Sequence, residues 1–120
     1  MKLNLLLLYV SNLGSSSDFY KNLGFKLEAK GDFIDAKLKD FTLRLLDEEK
    51  AHFKQESKVR FKGGGLYIYI EVENVNEFFK KLRKKGFFAS NAPRDWPWGN
   101  REFALRDPDN YKLIFYEKLS

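Results

Sequence analysis

The sequence predicts an α+β protein made of two βαβββ modules, and three observations lead to this fold class. First, the predicted order strand–helix–strand–strand–strand occurs twice along the 120 residues. Second, residue identities recur at matching places: Val10-Ser11-Asn12-Leu13 parallels Val72-Glu73-Asn74-Val75, and Leu23-Gly24-Phe25 parallels Lys85-Gly86-Phe87. Third, the strands alternate between an apolar face and a mixed aromatic and polar face. We therefore expect two curved mixed sheets, each with a helix on one face, around a concave cup that can enclose a ligand.

Module one is predicted over residues 1–47. The run Leu3–Val10 is apolar at nearly every position, as expected of a strand covered on both faces. Ser15 is predicted to cap the following helix, and Gly24 to end it. Phe19 and Leu23, spaced four residues apart, are predicted to lie on its buried face. Three short strands complete the module, at Phe25–Ala29, Phe33–Leu38 and Phe41–Leu46.

A polar segment, residues 48–65, is predicted as a linker, and module two follows over residues 66–120. The strand Leu66–Val72 precedes a helix that Asn74 caps, with Glu77 in the reciprocal position. Gly86 ends this helix as Gly24 ends the first. Its buried face is predicted to carry Val75, Phe78, Phe79 and Leu82. The two modules are expected to form a single domain, residues 1–120.

The end of module two is predicted to contain three strands, as in module one. The first is Phe87–Ser90. The other two form a hairpin whose turn is Asp107-Pro108-Asp109-Asn110. Proline presets one backbone angle there, and Asp and Asn bond the local backbone and tolerate the left-handed region.

Alternation assigns the strand residues to two faces. One set is entirely apolar and is predicted to pack against the helices: Leu6, Leu8, Val10, Phe41, Leu43, Leu45, Leu66, Ile68, Ile70, Val72, Leu113 and Phe115. The opposite set is aromatic and mixed-polar, as a binding cup would be: Leu5, Leu7, Tyr9, Thr42, Arg44, Leu46, Tyr67, Tyr69, Glu71, Lys112, Ile114 and Tyr116.

Composition excludes several classes of protein. The chain is 43% hydrophobic and 17% aromatic, which is far from a disordered profile. No run approaches the ~18 apolar residues of a membrane span. The absence of cysteine excludes disulfides, thiolate catalysis and cysteine-based metal sites. We therefore expect a cytoplasmic location without membrane association.

Three segments that together span nearly the whole chain carry motifs of a known family. They are Tyr9–Leu13 with Phe19–Phe25, Ile70–Val75, and Pro97–Gly99 with Asp107–Asn110. In order and spacing they resemble the vicinal oxygen chelate superfamily, which includes glyoxalases, bleomycin-resistance proteins and extradiol dioxygenases. The resemblance implies paired βαβββ modules around a cup that homodimerisation usually closes.

The enzymes of this superfamily bind one divalent metal ion through His, Gln or Glu side chains. By the matched segments, their ligand positions fall on Leu5, Tyr67 and Ile114, and near Arg44. A divalent site needs three or four nitrogen or oxygen donors, and only Tyr67 offers a poor one. The resemblance therefore implies a metal-free binding protein of the bleomycin-resistance type, with no cofactor and no catalysis.

The candidate ligand-binding residues lie on the mixed face and on the tryptophan turn. Tyrosine combines a large apolar body with a polar tip, and the resemblance implies that the tryptophan turn lines the ligand groove. The set is Tyr9, Arg44, Tyr67, Tyr69, Glu71, Trp96, Trp98, Glu102, Ile114 and Tyr116. Alternatively, the tryptophans pack on their own protein or on a dimer partner, the tyrosines fill a collapsed cup, and the charged members form an ion-pair cluster.

The sequence thus predicts a protein that binds a planar or amphipathic small molecule. With a net charge of +5, a neutral or anionic ligand is expected rather than a cation such as bleomycin. One alternative is a lyase, isomerase or dioxygenase of the same superfamily, using a displaced metal site or an acid–base pair from Glu71, Glu102 and Arg44. Another is nucleic-acid binding through a basic helix, although such a helix is more often a solvated outer face. Its basic residues are Lys80, Lys81, Arg83, Lys84 and Lys85.

Overall fold

The computed structural model describes all of residues 1–120, which divide into two compact units, Met1–Lys62 and Gly63–Ser120. Each unit contains one four-stranded sheet and one long helix. In each sheet one strand pair is parallel and the others are antiparallel. The α+β class with two mixed sheets is therefore confirmed.

The first unit has the predicted order of elements. They are β1 (Leu5–Val10), α1 (Leu13–Leu23), β2 (Lys26–Ala29), β3 (Phe33–Leu38) and β4 (Phe41–Asp47). The sheet has the strand order β1-β4-β3-β2, with β1 parallel to β4. Helix α1 packs on β2, β3 and β4, and the inward residues Leu8, Val10, Leu43 and Leu45 are buried as predicted.

Helix α1 begins earlier than the sequence prediction placed it. Asn12, not Ser15, is the cap: its backbone is extended and its side-chain oxygen accepts the Ser15 backbone N–H at 2.9 Å. Ser15 lies inside the first turn. Its backbone N–H is one of the unpaired donors at the helix start, and the Asn12 side chain accepts it. Gly24 ends the helix as predicted, at a φ of 116° that side chains with a Cβ rarely adopt.

The buried face of α1 differs from the predicted one: Tyr20, not Phe19, is its buried aromatic residue. Tyr20 is fully buried, whereas Phe19 is half-buried and packs edge-on against the Tyr20 ring. The Tyr20 ring also contacts Phe25 edge-on. Leu23 is buried as predicted. The small residues Ser16 and Ser17 are buried as well, and the Ser17 hydroxyl donates to the carbonyl oxygen of Leu13 in the same helix.

The segment between the two sheets contains two short helical turns, a 3-10 turn at Glu48–Lys50 and α2 at Lys54–Ser57. Asp47 caps the first turn by accepting the Glu49 backbone N–H. The Ser57 hydroxyl donates to the carbonyl oxygen of Glu48 and ties the second turn to the first.

The second unit repeats the architecture of the first. Its elements are β5 (Tyr67–Glu71), α3 (Val75–Lys84), β6 (Arg94–Asp95), β7 (Asn100–Arg106) and β8 (Lys112–Lys118). The strand order is β5-β8-β7-β6, with β5 parallel to β8. The β7–β8 turn is fixed by Asp107, whose carboxylate accepts the backbone N–H groups of Asp109 and Tyr111. The predicted hairpin is therefore confirmed.

The strand predicted at Phe87–Ser90 is wrong. These residues form no ladder, and Phe88 is 90% exposed. The edge of the sheet is β6 instead, where Arg94 pairs with Glu102 and Asp95 with Arg101. The Arg101 guanidinium also donates to the Asp95 carboxylate at 2.7 and 3.3 Å, a bidentate contact that fixes this pairing.

Helix α3 packs on its sheet as predicted. Asn74 caps it by accepting the Glu77 backbone N–H, and Val75 and Leu82 are buried. The rings of Phe78 and Phe79 pack against two buried strand residues, Phe103 and Phe115, with centroids 4.9 to 6.4 Å apart. Each buried ring contributes about 1.5–3 kcal/mol to folding.

The basic residues of this helical segment are all exposed: Lys80, Lys81, Arg83, Lys84 and Lys85. None of the helices has the length and apolar character needed to cross a lipid bilayer.

Candidate functional site

A cavity of about 400 Å³ opens on the face of the second sheet that does not carry α3, here called the helix-free face. Strand pairing places its residues side by side: Tyr69 is opposite Ile114, and Ile114 is opposite Ala104. The volume is within the range of small-molecule sites. The lining residues are Tyr67, Tyr69, Asn91, Ala92, Arg94, Trp96, Trp98, Glu102, Phe103, Ala104, Lys112 and Ile114.

A tight turn between β6 and β7 carries the two tryptophans into this site. The Trp96 N–H donates to the carbonyl oxygen of Asn100 at 2.8 Å, and the Gly99 N–H donates to the carbonyl oxygen of Trp96. Gly99 has a φ of 91°, which favours glycine. Its carbonyl accepts the Leu119 N–H, so the turn is also attached to the end of β8.

Aromatic rings and two cations form the walls of the cavity. The indoles of Trp96 and Trp98 are stacked, with centroids 4.8 Å apart and planes 12° apart. The Arg94 guanidinium lies over the Trp96 ring, 3.8 Å from its centroid, and forms an attractive cation–π contact. The Lys112 ammonium lies 4.5 Å from the centroid of the Tyr67 ring. The walls thus combine flat apolar surface with positive charge.

Glu102 lines the same cavity, and the residue is 5% exposed. One of its oxygens accepts the Trp98 indole N–H at 2.8 Å and the Asn100 amide N–H at 3.0 Å. Desolvation, the negative charge of Glu102 and the neighbouring Tyr67 raise the pKa of Tyr69 above its ordinary value.

The structure brings most of the predicted site residues together. Tyr67, Tyr69, Trp96, Trp98, Glu102 and Ile114 all line the cavity. Tyr116 packs edge-on against Tyr69, with centroids 5.5 Å apart. Glu71 is exposed at the end of β5 and does not line the cavity.

Two predicted site residues, Tyr9 and Arg44, belong to the first unit and its own helix-free face. Arg44 donates to the Asp35 carboxylate at 2.8 and 3.1 Å, and its guanidinium lies over the Phe33 ring. Asp35 is 4% exposed, and its hydrogen bonds to Arg44 lower its pKa. Arg44 therefore pairs with a residue that the sequence analysis did not identify, and not with Glu71 or Glu102.

Sequence reasoning missed several residues of the cavity. Ala104 could have been found, because it lies two positions from Glu102 on the same strand. Arg94 could not, because its strand was predicted elsewhere, at Phe87–Ser90. Asn91 and Ala92 lie outside any strand or helix, so no periodic pattern marked them.

The residues at the metal-ligand positions of the superfamily enzymes do not fit a divalent metal ion. In the second unit these positions hold Tyr67, whose ring lies beneath the Lys112 ammonium, and Ile114, a hydrocarbon. In the first unit they hold Leu5 and the ion-paired Arg44. No three His, Cys, Asp or Glu side chains come close enough together to hold a metal.

Comparisons with known proteins identify relatives of this chain and a solved structure with the same fold. The chain is 24% identical over 119 residues to a bleomycin resistance protein of Geobacillus stearothermophilus, covering 85% of this chain and 90% of that protein. It is 29% identical over 131 residues to a lactoylglutathione lyase of Neisseria meningitidis, covering 100% of this chain and 93% of that enzyme. A crystal structure of a glyoxalase/bleomycin resistance protein/dioxygenase from Nocardioides superposes with a TM-score of 0.84 at 21% identity, covering 100% of this chain and 85% of that one.

A family model covers almost the entire chain, matching residues 2–115. The match includes the whole first sheet, the second sheet as far as Phe115, and all the residues that line the cavity. The chain therefore belongs to the Glyoxalase/Bleomycin resistance protein/Dioxygenase superfamily.

Proposed function

We propose that this protein binds a planar organic molecule in the cavity of its second unit, without a metal ion, and sequesters it. The observation that carries the proposal is a cavity of about 400 Å³ whose walls include two stacked indoles and two tyrosines. Flat aromatic walls favour a flat ligand because stacking maximises contact area and matches ring edges and faces. The similarity to a bleomycin resistance protein, which by its name confers resistance to a drug, supports a binding role.

The charges at the cavity favour a neutral or anionic ligand. Arg94 and Lys112 both line it, against the single carboxylate of Glu102. The chain as a whole carries a net charge of +5, so its long-range field also attracts anions. Both cations lie over aromatic rings, which hold their positive charge at the walls of the cavity.

A second candidate function is lyase activity of the kind named for the Neisseria relative, which is 29% identical over the full chain. Such activity would need a donor set that Leu5, Tyr67 and Ile114 do not supply. Elemental analysis of the purified protein distinguishes the two. A stoichiometric divalent metal, lost on chelation together with an activity, would favour the enzyme.

We further propose that the protein forms a homodimer that covers part of this aromatic face. Tyr67 is 58% exposed and Trp98 is 57% exposed, although both are large aromatic residues. Exposed aromatic area of this kind marks interaction surfaces. Native mass spectrometry at tens of micromolar protein would report the dimer mass together with any retained ligand or metal.

Intrinsic fluorescence provides a direct test of binding. The chain contains two tryptophans, and both line the cavity, so quenching reports occupancy of this site. Titration with a panel of planar aromatic compounds, neutral and anionic, is expected to give saturable quenching. If no compound of the panel quenches the tryptophan fluorescence, the proposal is contradicted and the cavity is not a ligand-binding site.

A further inference from the structure

Glu102 is a buried acid held by neutral groups. The residue is 5% exposed, and its carboxylate accepts hydrogen bonds from the Trp98 indole and the Asn100 amide. Burying a carboxylate costs several kcal/mol unless it is paired or hydrogen-bonded. The two cations of the cavity do not pair with it, because Arg94 lies on Trp96 and Lys112 lies on Tyr67. Glu102 is therefore held by neutral hydrogen-bond donors and forms no salt bridge, although Arg94 is its neighbour across the strands.

The fold does not require an acid at this position. Strand pairing places Glu102 opposite Tyr116 in the second sheet and Phe33 opposite Leu46 in the first. Counting from the shared Val10 and Val72, these are matching positions, so the first unit has a phenylalanine where the second has Glu102. A sheet of the same strand order thus forms with a phenylalanine at this position. The acid and the two donors from its own turn are thus an addition specific to the unit that contains the cavity.

The acceptor capacity of the carboxylate is not exhausted by these neighbours. An ionised carboxylate offers about four lone-pair sites on two oxygens. The indole and the amide both donate to the same oxygen, Oε2. Glu102 lines the cavity, so a ligand there can reach a remaining acceptor site.

We propose that Glu102 determines specificity by selecting planar aromatic ligands that present an N–H donor edge, such as aromatic amines or heterocycles with a ring N–H. This inference rests on the proposed binding function and specifies its ligand class. The donor edge binds the Glu102 carboxylate, the ring stacks on the aromatic walls, and an acidic substituent is attracted to Arg94 and Lys112. An aromatic compound with the same ring and no N–H cannot donate a hydrogen bond to the carboxylate.

A matched pair of ligands tests this directly. Naphthionate carries an amino group and a sulfonate at opposite ends of one ring, and naphthalenesulfonate is the same anion without the amino group. Isothermal titration calorimetry gives both dissociation constants for the wild-type protein. We expect naphthionate to bind at least about tenfold more tightly, because hydrogen bonds to charged groups are roughly twice as strong as neutral ones.

The variant Glu102→Gln keeps the size of the side chain and a carbonyl oxygen for Trp98 and Asn100, but it turns one acceptor into a donor. In this variant the ratio of the two dissociation constants should fall to about one. Circular dichroism checks that the variant is folded. If it is not, the wild-type ratio alone decides.

The outcomes separate this inference from the function on which it rests. If both compounds bind the wild-type protein equally, or if Glu102→Gln keeps the preference, the role of Glu102 is wrong and the cavity remains a binding site. If neither this pair nor other planar acids and their amino derivatives bind, the proposed function and this inference fail together.

Discussion

The helix-free faces of the two sheets have the same strand arrangement, but one carries an ion pair and the other a cavity. Counting from Val10 and Val72, strand pairing makes Arg44 equivalent to Ile114 and Asp35 equivalent to Ala104. In the first unit the two side chains form a bidentate ion pair across β3 and β4. In the second unit an alanine and an isoleucine occupy the same two places, beside a cavity of about 400 Å³.

The difference shows that the repeated module fixes where a site can form and that a few side chains decide whether it does. The ion pair fills the centre of the first face with a long arginine whose head lies on Phe33. The short side chain of Ala104 leaves the equivalent centre of the second face open. The predictions below test this comparison, in order of decreasing effect.

Transferring the ion pair to the second unit should abolish ligand binding. In the double variant Ala104→Asp with Ile114→Arg, the longer side chains occupy the cavity and add charge beside Glu102. We expect no measurable quenching by any compound that binds the wild-type protein. The matched control is Asn76→Arg with Ser90→Asp, which introduces the same two residue types at exposed positions outside the cavity. Unchanged binding in the first variant would place the ligand elsewhere.

Removing one indole should weaken binding without closing the cavity. Trp98→Ala deletes a stacked wall and one donor to Glu102. A buried aromatic anchor contributes about 2 kcal/mol or more, so we expect at least a roughly tenfold loss of affinity by calorimetry. Tyr67→Phe should cost less, because it keeps the ring and loses only the hydroxyl. Phe88→Ala, a change at an aromatic residue that is 90% exposed and outside the cavity, serves as control. Equal affinity of Trp98→Ala and wild type would exclude stacking on Trp98.

The ion pair of the first unit should make stability depend on acid. The hydrogen bonds from Arg44 lower the pKa of Asp35 in the folded protein. Its stabilisation is therefore present above the unfolded pKa, near ~3.9, and is lost as the pH falls below that value toward the folded pKa. Asp35→Asn should cost about 1–2 kcal/mol at neutral pH and should flatten this part of the acid dependence, as measured by urea unfolding.

The control for this measurement is Asp32→Asn, which changes an exposed carboxylate. If Asp35→Asn and wild type lose stability with identical slopes below about pH 4, the ion pair contributes nothing to folding and only fills space.

The smallest expected effect concerns the two equivalent helix caps, Asn12 and Asn74. Each accepts a backbone N–H three residues ahead, at 2.9 Å for Asn12 and 3.1 Å for Asn74. Asn12→Ala and Asn74→Ala should each cost about 1 kcal/mol of unfolding free energy. Chemical denaturation checks this. If only one of the two variants loses unfolding free energy, the two caps do not stabilise their helices equally.

Local chemistry explains which elements the sequence predicted well. The strands β3, β7 and β8 follow from alternation, and Gly24 and Asn74 mark helix ends by properties of their own side chains. The capping error at Ser15 arose because two polar residues near one helix start compete, and only the backbone geometry of Asn12 decides between them. The error at Phe87–Ser90 arose because an aromatic run can form a strand only where a partner strand is available.

The sequence by itself determined the duplicated βαβββ order, the Asn74 cap and the aromatic character of one sheet face, because these depend on residue type and on a period of two or 3.6 residues. Only the tertiary structure decided that Arg94 joins the site, that Arg44 pairs with Asp35, and that Glu102 is buried. Parity assigns a side chain to a face, but its depth and its partners depend on which strand lies beside it. That neighbour is set by long-range pairing, which a local pattern does not encode.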